Sequence, residues 1–313
     1  MNVTGRFAPS PSGQMHLGNA RSALLAWLDA RARGGRMVLR IEDLDRDRCR
    51  QAYVDAVRDD LRWLGLDWDV ESTPQSRRDA VYDAALAGLR DRDVIYECFC
   101  TRRDITVASA PHGPGEDPRG CPRGCAHLDP EERGRRVAAG ERAALRVKLP
   151  DDLAFADDRF HGRVVASGDS GDMVLRRSDG LHAYHLAVVV DDAADGVTDV
   201  VRGDDLLASA PRQAALARLL DVPVPSYAHV PLLLGPDGAR LAKRHGAVSI
   251  AALRESGVPA DMLVASLARF AGITEAPRAW PADLVEGFAL EQIDRRPITV
   301  RADSSSLRFV PVD

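Results

Sequence analysis

The start of the chain alternates between short apolar strands and helices, and this alternation limits the fold more than any other feature. Residues 3–8 have the composition of a strand, and a Pro/Ser/Gly turn at 9–13 separates them from a helix predicted over 17–31. A second apolar strand at 37–41 ends in an acidic turn before another amphipathic helix. This order predicts an α/β fold with a doubly wound parallel sheet, whose ligands bind at the carboxyl ends of the strands.

The middle of the chain is predicted to be an insertion between two halves of that sheet. Between residues 98 and 140 the periodicity is lost and Gly, Pro and Cys become frequent. Alternating apolar residues at 145–149 and 173–175 are consistent with a small mixed subdomain. The sheet pattern then returns, with an apolar β-like run at 184–190 that ends at Asp191 and Asp192, a strand at 197–202 and a helix at 210–220.

The last part of the chain is predicted to be helical, at 251–253 and 261–270. The predicted units are the first half of a nucleotide-binding Rossmann-like domain (1–94), an insertion (95–180), the second half of the domain (181–235), and a basic loop with a helical subdomain and tail (236–313).

Composition excludes several classes of protein. The 313 residues are 45% hydrophobic and 28% charged, as in ordinary soluble domains, and no apolar run approaches the roughly 20 residues of a membrane span. The first residues have neither the basic nor the apolar part of a secretory signal, so we expect a cytoplasmic location and no membrane partner. The net charge of −5 does not by itself indicate nucleic-acid binding, although arginines cluster locally.

Two segments have the composition of phosphate-binding sites. In the first, a strand feeds through a small-residue turn into a helix, and His16 and Gly18 lie at the helix start, where backbone N–H groups favour anions. The second is a glycine-flanked basic loop at 238–246, in which Lys243 could clamp a triphosphate. Taken singly, His16 is more simply a helix-capping or surface histidine, and the loop an exposed basic turn.

Four segments in a fixed order change that interpretation. Pro-Ser-Pro-Ser-Gly-Gln-Met-His-Leu-Gly, Arg-Ile-Glu-Asp-Leu-Asp, Arg-Gly-Asp-Asp-Leu and Leu-Ala-Lys-Arg resemble the class I glutamyl-tRNA synthetase family over residues 5–246. The HIGH motif of the family matches 16–19, and its KMSKS motif matches 240–244. Asn19, Arg240 and Ala242 depart from these motifs, whereas Lys243 matches the second lysine.

The resemblance implies a HUP-type, Rossmann-like fold with a zinc-containing insertion, and it assigns roles to individual residues. His16 and Lys243 are the predicted catalytic residues. The predicted ATP-binding residues are His16, Gly18, Asn19, Arg240, Leu241, Ala242, Lys243 and Arg244. The predicted glutamate-binding residues are Arg6, Phe7, Ala8, Pro9, Ser10, Glu42, Tyr184 and Arg202. Arginines suit the two carboxylates of glutamate and an acid suits its amine. Mg²⁺ is expected to accompany ATP.

Four of the five cysteines fall in one segment, as Cys98, Cys100, Cys121 and Cys125. Two close pairs of thiolates suit one structural zinc ion in a segment too poor in apolar residues to fold unaided. His112 and His127 are competing fourth ligands. Short members of the family carry such a Cys-x-Cys and a later ligand-x-x-x-Cys pair in this insertion.

Those short members transfer activated glutamate to the queuosine wobble nucleoside of tRNA(Asp) instead of to a tRNA 3′ end. Because 70 residues follow Lys243, we expect no separate anticodon-binding domain. The resemblance therefore implies ATP, L-glutamate and queuosine-containing tRNA(Asp) as partners of a monomeric ligase. The alternatives are a glutamyl-tRNA synthetase that charges a 3′ end, a non-catalytic RNA-binding adapter, and a nucleotidyltransferase that acts on another small acid.

Overall fold

A computed structural model of the chain describes residues 3–101, 121, 124–166, 172–235, 237–238, 241, 249–296, 298–301 and 310–311. The helices in these ranges are α1 Leu17–Ala32, α2 Gln51–Trp63, α3 Asp79–Asp91, α4 Pro130–Ala138, α5 Tyr184–Ala194, α6 Ala210–Leu219, α7 Ile250–Glu255 and α8 Ala260–Arg269. The strands are β1 Thr4–Phe7, β2 Arg36–Leu39, β3 Val70–Glu71, β4 Ile95–Cys98, β5 Ala144–Val147, β6 Phe155–Asp158, β7 Gly162–Val165, β8 Met173–Arg176, β9 Asp199–Gly203, β10 Ser226–Val230, β11 Leu233–Leu234, β12 Ile298–Arg301 and β13 Val310–Pro311.

Two sets of parallel strands lie side by side at the centre of the molecule. One has the order β1-β2-β3, and the other has β9, β10 and β6 in parallel with β7 antiparallel at its edge. The N–H of Thr198 donates to the carbonyl oxygen of Thr4 at 2.9 Å and so joins β9 to β1. The strand order is thus β3-β2-β1-β9-β10-β6, which confirms the doubly wound fold and places its switch point between β1 and β9.

Helix α1 lies in the middle of the core, because eleven of its sixteen residues are buried. It packs against β1, β2, β9 and α8. Leu24 and Leu28 share one hydrophobic cluster with Leu263 and Leu267 of α8. The C-terminal helices are therefore part of the same core as the parallel sheet. Within the described ranges, no helix has both the length and the apolar composition needed to cross a bilayer.

The insertion contains an antiparallel sheet of order β4-β5-β8. Leu145 and Leu175 of this sheet pack with Leu86 of α3 and Leu186 of α5 in a second cluster. The predicted mixed subdomain is thus observed, and it rests on helices of the main domain. The predicted boundaries between the four units stay predictions.

One predicted element was wrong. The run 184–190, expected to be β-like, belongs to helix α5. A continuous apolar run does not show whether it is a strand or a buried helix, and here Leu186, Ala187 and Val188 are all nearly inaccessible to solvent. The predicted strand at 197–202 and the helices at 210–220, 251–253 and 261–270 are confirmed with small shifts at their ends.

Candidate active site

A cavity of about 880 Å³ opens at the switch point of the sheet. Its walls come from the carboxyl ends of β1 and β9, the start of α1 and the segment after β10, as expected for a doubly wound fold. The predicted site residues that line it are Arg6, Phe7, Ala8, Pro9, Ser10, His16, Gly18, Asn19, Glu42, Tyr184, Arg202 and Leu241. All eight predicted glutamate-binding residues are thus brought together, although their role in binding stays a prediction.

The start of α1 forms the part of the cavity that suits a phosphate group. His16 is the N-cap residue of this helix, and its side chain makes no capping hydrogen bond, so the simple capping role does not apply. An added Cβ at Gly18 would meet no atom within 4 Å. Open space at the positive end of a helix dipole, with an imidazole beside it, suits an anionic and flat ligand such as a nucleotide.

The polar part of the cavity contains Arg6 and Arg202, which are 5% and 6% exposed, together with Glu42 and the half-buried Tyr184. Burial raises the pKa of Glu42, although Arg40 and Arg6 oppose the rise. Burial also raises the pKa of Tyr184, which keeps its hydroxyl protonated as a donor. Two guanidinium groups and one carboxylate complement a small molecule with two carboxylates and one ammonium group.

A buried ion network lies directly behind this part. Arg40, which is 0% exposed, contacts Asp192 at 2.6 Å, Asp195 at 3.1 Å and Glu42 at 3.3 Å. Asp192 also lies 3.5 Å from the Nε of Arg6. Burial opposes ionisation of Asp192, but Arg40 and Arg6 outweigh it and lower the pKa of that carboxyl. These contacts fix the positions of the Arg6 and Glu42 side chains in the wall of the cavity.

Gly203, at the end of β9, lies close to side chains of the segments that follow β9 and β10. A Cβ at Gly203 would lie 2.6 Å from an Asp205 carboxylate oxygen and 2.8 Å from a methyl carbon of Leu232. Both distances are shorter than side-chain contacts allow, and all three residues line the cavity. A larger residue at position 203 would therefore require the side chains of Asp205 and Leu232 to move.

The described ends of the segment that contains the basic loop lie at the cavity or next to His16, which lines it. The N–H of Leu241 donates to Leu233, and Leu241 itself lines the cavity. At the other end, Ser249 pairs with His16 and the N–H of Ile250 donates to Met15 at 2.9 Å. The predicted ATP-binding residues Arg240, Ala242, Lys243 and Arg244 lie outside the described residues.

Several buried polar residues around the site were not singled out by sequence reasoning: Arg21, Arg40, Asp158, Asp192 and His229. Arg21 lines the cavity, donates to the Pro231 carbonyl at 2.5 Å, and has its pKa lowered by burial to about 10. A signal was available for two of them, since Arg40 and His229 are polar residues inside otherwise apolar runs. Such residues are buried only with partners.

The four cysteines of the insertion come together as predicted. Their Sγ atoms all lie within 4.8 Å of one another, with Cys100 at 3.2 Å from Cys121 and 3.9 Å from Cys125. His127 is not in this group, and His112 lies outside the described residues. The four cysteines could therefore hold one metal ion.

Comparison with known proteins identifies the family. A sequence model described as the catalytic domain of class I tRNA synthetases (E and Q) matches residues 2–284. The chain belongs to this family. It is thus a ligase of the aminoacyl-tRNA synthetase type, which confirms the resemblance found in the sequence motifs.

Relatives within the synthetase family have two different names. A protein of Symbiobacterium thermophilum named Glutamyl-Q tRNA(Asp) synthetase is 48% identical, over 96% of this chain and 97% of its own length. Glutamate--tRNA ligase 2 of Acidithiobacillus ferrooxidans is 44% identical, over 95% of this chain and 64% of its own length. The crystal structure of a glutamate tRNA ligase from Elizabethkingia meningosepticum, in complex with its amino acid, superimposes with a TM-score of 0.82 at 25% identity. That superposition covers 96% of this chain and 67% of the other.

Proposed function

We propose that this synthetase activates L-glutamate with ATP and transfers the glutamyl group to the queuosine nucleoside of tRNA(Asp). The observation that carries the first half is the cavity itself. It joins Arg6, Arg202 and Glu42 at one end to the open start of α1 at the other. A dicarboxylic amino acid at the first end would have its α-carboxylate near a nucleotide phosphate at the second.

In the activation step, an oxygen of the glutamate α-carboxylate attacks the α-phosphorus of ATP. The bond from that phosphorus to the bridging oxygen breaks and pyrophosphate leaves, so the product is glutamyl-adenylate. No covalent bond to the protein is needed, and catalysis comes from positioning and from charge stabilisation. Glu42 would pair with the substrate ammonium, and the imidazole of His16 would donate to the phosphoryl oxygens as charge builds on them.

Lys243 would neutralise the triphosphate from the basic loop. Support for this comes from the two described ends of the loop, Leu241 and Ser249, which lie beside the cavity and beside His16. Mg²⁺ would accompany ATP and share its negative charge. In the transfer step, a hydroxyl of the queuosine cyclopentene diol attacks the carbonyl carbon of the adenylate and AMP leaves.

The metal at the cysteine cluster would be one structural zinc ion. At a Zn–S distance of about 2.3 Å, tetrahedral ligands would lie roughly 3.8 Å apart; the Cys100–Cys125 distance of 3.9 Å matches this spacing, and the Cys100–Cys121 distance of 3.2 Å would widen on binding. Burial raises the pKa of the Cys98 thiol to about 11, so this ligand would lose its proton only when a cation binds. The cluster would hold the insertion together and take no part in the chemistry.

The choice of acceptor rests on the relatives. Four relatives named for tRNA(Asp) are 47–50% identical to this chain, and four named glutamate--tRNA ligase are 40–44% identical. The second candidate, charging of a tRNA 3′ end, is favoured by the likeness of the cavity-bearing fold to a glutamate tRNA ligase. We further propose a cytoplasmic monomer.

The activation half is tested by exchange of labelled pyrophosphate into ATP, with glutamate, glutamine or aspartate as the amino acid and no tRNA present. We expect exchange that depends on glutamate and is much weaker with the other two amino acids. No exchange with any of them, with or without tRNA, would contradict the catalytic assignment and favour the adapter. Faster exchange with another acid would favour the nucleotidyltransferase.

A further inference from the structure

Three neighbouring parallel strands bring together residues that are far apart in sequence. Arg202 of β9 is the register partner of His229 of β10, and Tyr227 of β10 is the register partner of Asp158 of β6. Hydrogen bonds form a line of side chains across these strands from Asp158 through His229 to Arg202, and Arg202 lines the cavity.

The hydrogen bonds along this line have a fixed direction. Asp158 accepts from the Nδ1 of His229 at 2.6 Å, and Arg202 donates through Nε to the Nε2 of His229 at 2.9 Å. Since Arg202 has no acceptor on its guanidinium, the imidazole must carry its proton on Nδ1 and present a bare Nε2. Burial lowers the pKa of His229 to about 4, although Asp158 opposes the fall, so the ring is neutral at physiological pH.

Both carboxylate oxygens of Asp158 accept hydrogen bonds. Besides the imidazole, its carboxylate accepts from the backbone N–H groups of His229, Phe160 and His161 at 3.1, 2.8 and 3.0 Å. The side chains of Asp158 and His229 are both 0% exposed. Burial opposes ionisation of Asp158, but these donors outweigh it and lower the pKa of that carboxyl. The far end of the line is therefore a fixed anion.

At the near end, the guanidinium of Arg202 is held at two of its three nitrogens. Nε donates to His229, and Nη2 donates to the carbonyl of Leu206 at 3.4 Å. Nη1 is buried and makes no hydrogen bond with any described residue. A buried donor that stays unpaired in the free protein is costly, and pairing it with a bound carboxylate removes that cost.

We propose that Asp158 and His229 form a positioning relay that fixes the Arg202 guanidinium so that Nη1 receives a carboxylate of the amino-acid substrate. This inference rests on the proposed function, because it takes glutamate as the occupant. Neither relay residue touches the substrate. Asp158 sets the histidine tautomer, the histidine accepts the Nε proton of Arg202, and the arginine meets the ligand already oriented.

A merely structural role for these residues predicts a different result. If His229 only filled space against Tyr227, with which its ring stacks at 5.9 Å, then any variant that folds would bind glutamate normally. Under the relay, the proton on the ring matters as well as its volume. Asp158→Asn separates the two, because it keeps the shape and changes the proton positions.

The asparagine amide has one oxygen and one NH₂ group. If the NH₂ group faces residues 160–161, it opposes two backbone N–H donors, those of Phe160 and His161. If it faces His229, it opposes one backbone N–H donor, that of His229 itself. Each orientation therefore has two donor–donor conflicts, because the second adds one at Arg202. In the first orientation the amide oxygen still accepts from Nδ1, and in the second the amide donates to Nδ1. The imidazole proton must then move to Nε2, where it opposes the Nε–H of Arg202.

The test measures steady-state pyrophosphate exchange in wild type and in Asp158→Asn, His229→Leu and His229→Gln, varying glutamate and ATP separately. Losing a hydrogen bond to a charged group corresponds to about 10- to 100-fold. We therefore expect the glutamate KM to rise by about that factor in His229→Leu, and in Asp158→Asn when nitrogen NMR places the ring proton on Nε2, while the ATP KM stays within about threefold. His229→Gln, whose amide oxygen can still accept from Nε, should recover most of the loss.

Gln213→Leu is the matched control, because Gln213 is buried, bonds to His185 at 3.2 Å and does not line the cavity. It should change the melting temperature and leave the glutamate KM unchanged. A folded His229→Leu with a wild-type glutamate KM would overturn the relay, and so would a folded Asp158→Asn with the ring proton on Nε2 and a wild-type glutamate KM. His229→Gln behaving as badly as His229→Leu would overturn the acceptor role of His229.

A measurement on the wild-type chain covers the case in which variants fail to fold. Nitrogen NMR of ¹⁵N-histidine protein should show the His229 ring neutral with its proton on Nδ1 at pH 7, identified by the loss of its signals in His229→Gln, and an Nε2–H tautomer for His229 would overturn the relay. Absence of glutamate-dependent exchange in wild type would instead mean that the proposed function fails. The two failures are thus distinguishable.

Discussion

Replacing Asp60 by asparagine should stabilise the protein at neutral pH and do so less at low pH. Asp60 lies on α2, is 0% exposed, and neither of its carboxylate oxygens has a hydrogen-bond partner. The Arg254 guanidinium of α7 is 3.6 Å away. Burial raises the pKa of Asp60 from 3.8 to about 6, although Arg254 opposes the rise.

The sign follows from which state binds the proton more tightly. Because the folded pKa lies above the unfolded one, ionised Asp60 destabilises the folded state above pH 6, and the penalty disappears below pH 3.8. The difference corresponds to about 3 kcal/mol at pH 8 and roughly half of that at pH 5. A buried amide still lacks partners, so Asp60→Asn should gain about 1–3 kcal/mol at pH 8.

Calorimetric melting at pH 8 and pH 5 measures this effect, at roughly 2 °C per kcal/mol for a chain of this length. The matched control is Asp59→Asn, because Asp59 is exposed and its pairing with Arg62 is long at 3.8 Å. That variant should melt within about 1 °C of wild type at both pH values. An Asp60→Asn protein that is less stable than wild type, or equally improved at both pH values, would refute the reasoning.

Three further predictions concern the site, the cysteine cluster and the ion network. Arg6→Gln removes a buried positive charge from the cavity, so the glutamate KM in pyrophosphate exchange should rise by about 30-fold or more, and an unchanged KM would exclude Arg6 as a carboxylate ligand. Cys98→Ser should abolish bound zinc, measured by mass spectrometry of the metal, whereas Cys49→Ser should keep one ion per chain, because Cys49 is outside the cluster. Arg40→Met leaves several buried carboxylates uncompensated and should cost about 3–5 kcal/mol in urea unfolding, against at most about 1 kcal/mol for Arg177→Met at an exposed pair.

Sequence reasoning correctly predicted the parts of the fold that local sequence patterns determine. The strand-turn-helix start of the chain and the Cys-x-Cys spacing are short-range signals, and both elements were observed as predicted. The run at 184–190 was misassigned because its burial on all sides removes the periodicity that separates a helix from a strand. Its acidic end is explained by side chains of other elements, since Arg78, Gln75 and Tyr82 contact Asp191 and Arg40 contacts Asp192.

The buried residues behind the site could not be paired from the sequence, because their partners are distant along the chain. His229 and Asp158 are 71 positions apart and meet because β6 and β10 are neighbours in the sheet. Arg40 is 152 positions from Asp192. A sequence shows that a polar residue in an apolar run needs a partner, but the partner is determined by strand order, which is a property of the whole fold.

The most direct test of the proposed function is to identify the acceptor. Queuosine-containing tRNA(Asp) and tRNA(Glu) would each be incubated with enzyme, ATP and labelled glutamate, and the nucleosides would then be analysed by mass spectrometry. The account predicts queuosine heavier by one glutamyl residue in tRNA(Asp), and no label on the tRNA(Glu) 3′ end. Unchanged queuosine together with label on the 3′ adenosine of tRNA(Glu) would contradict it.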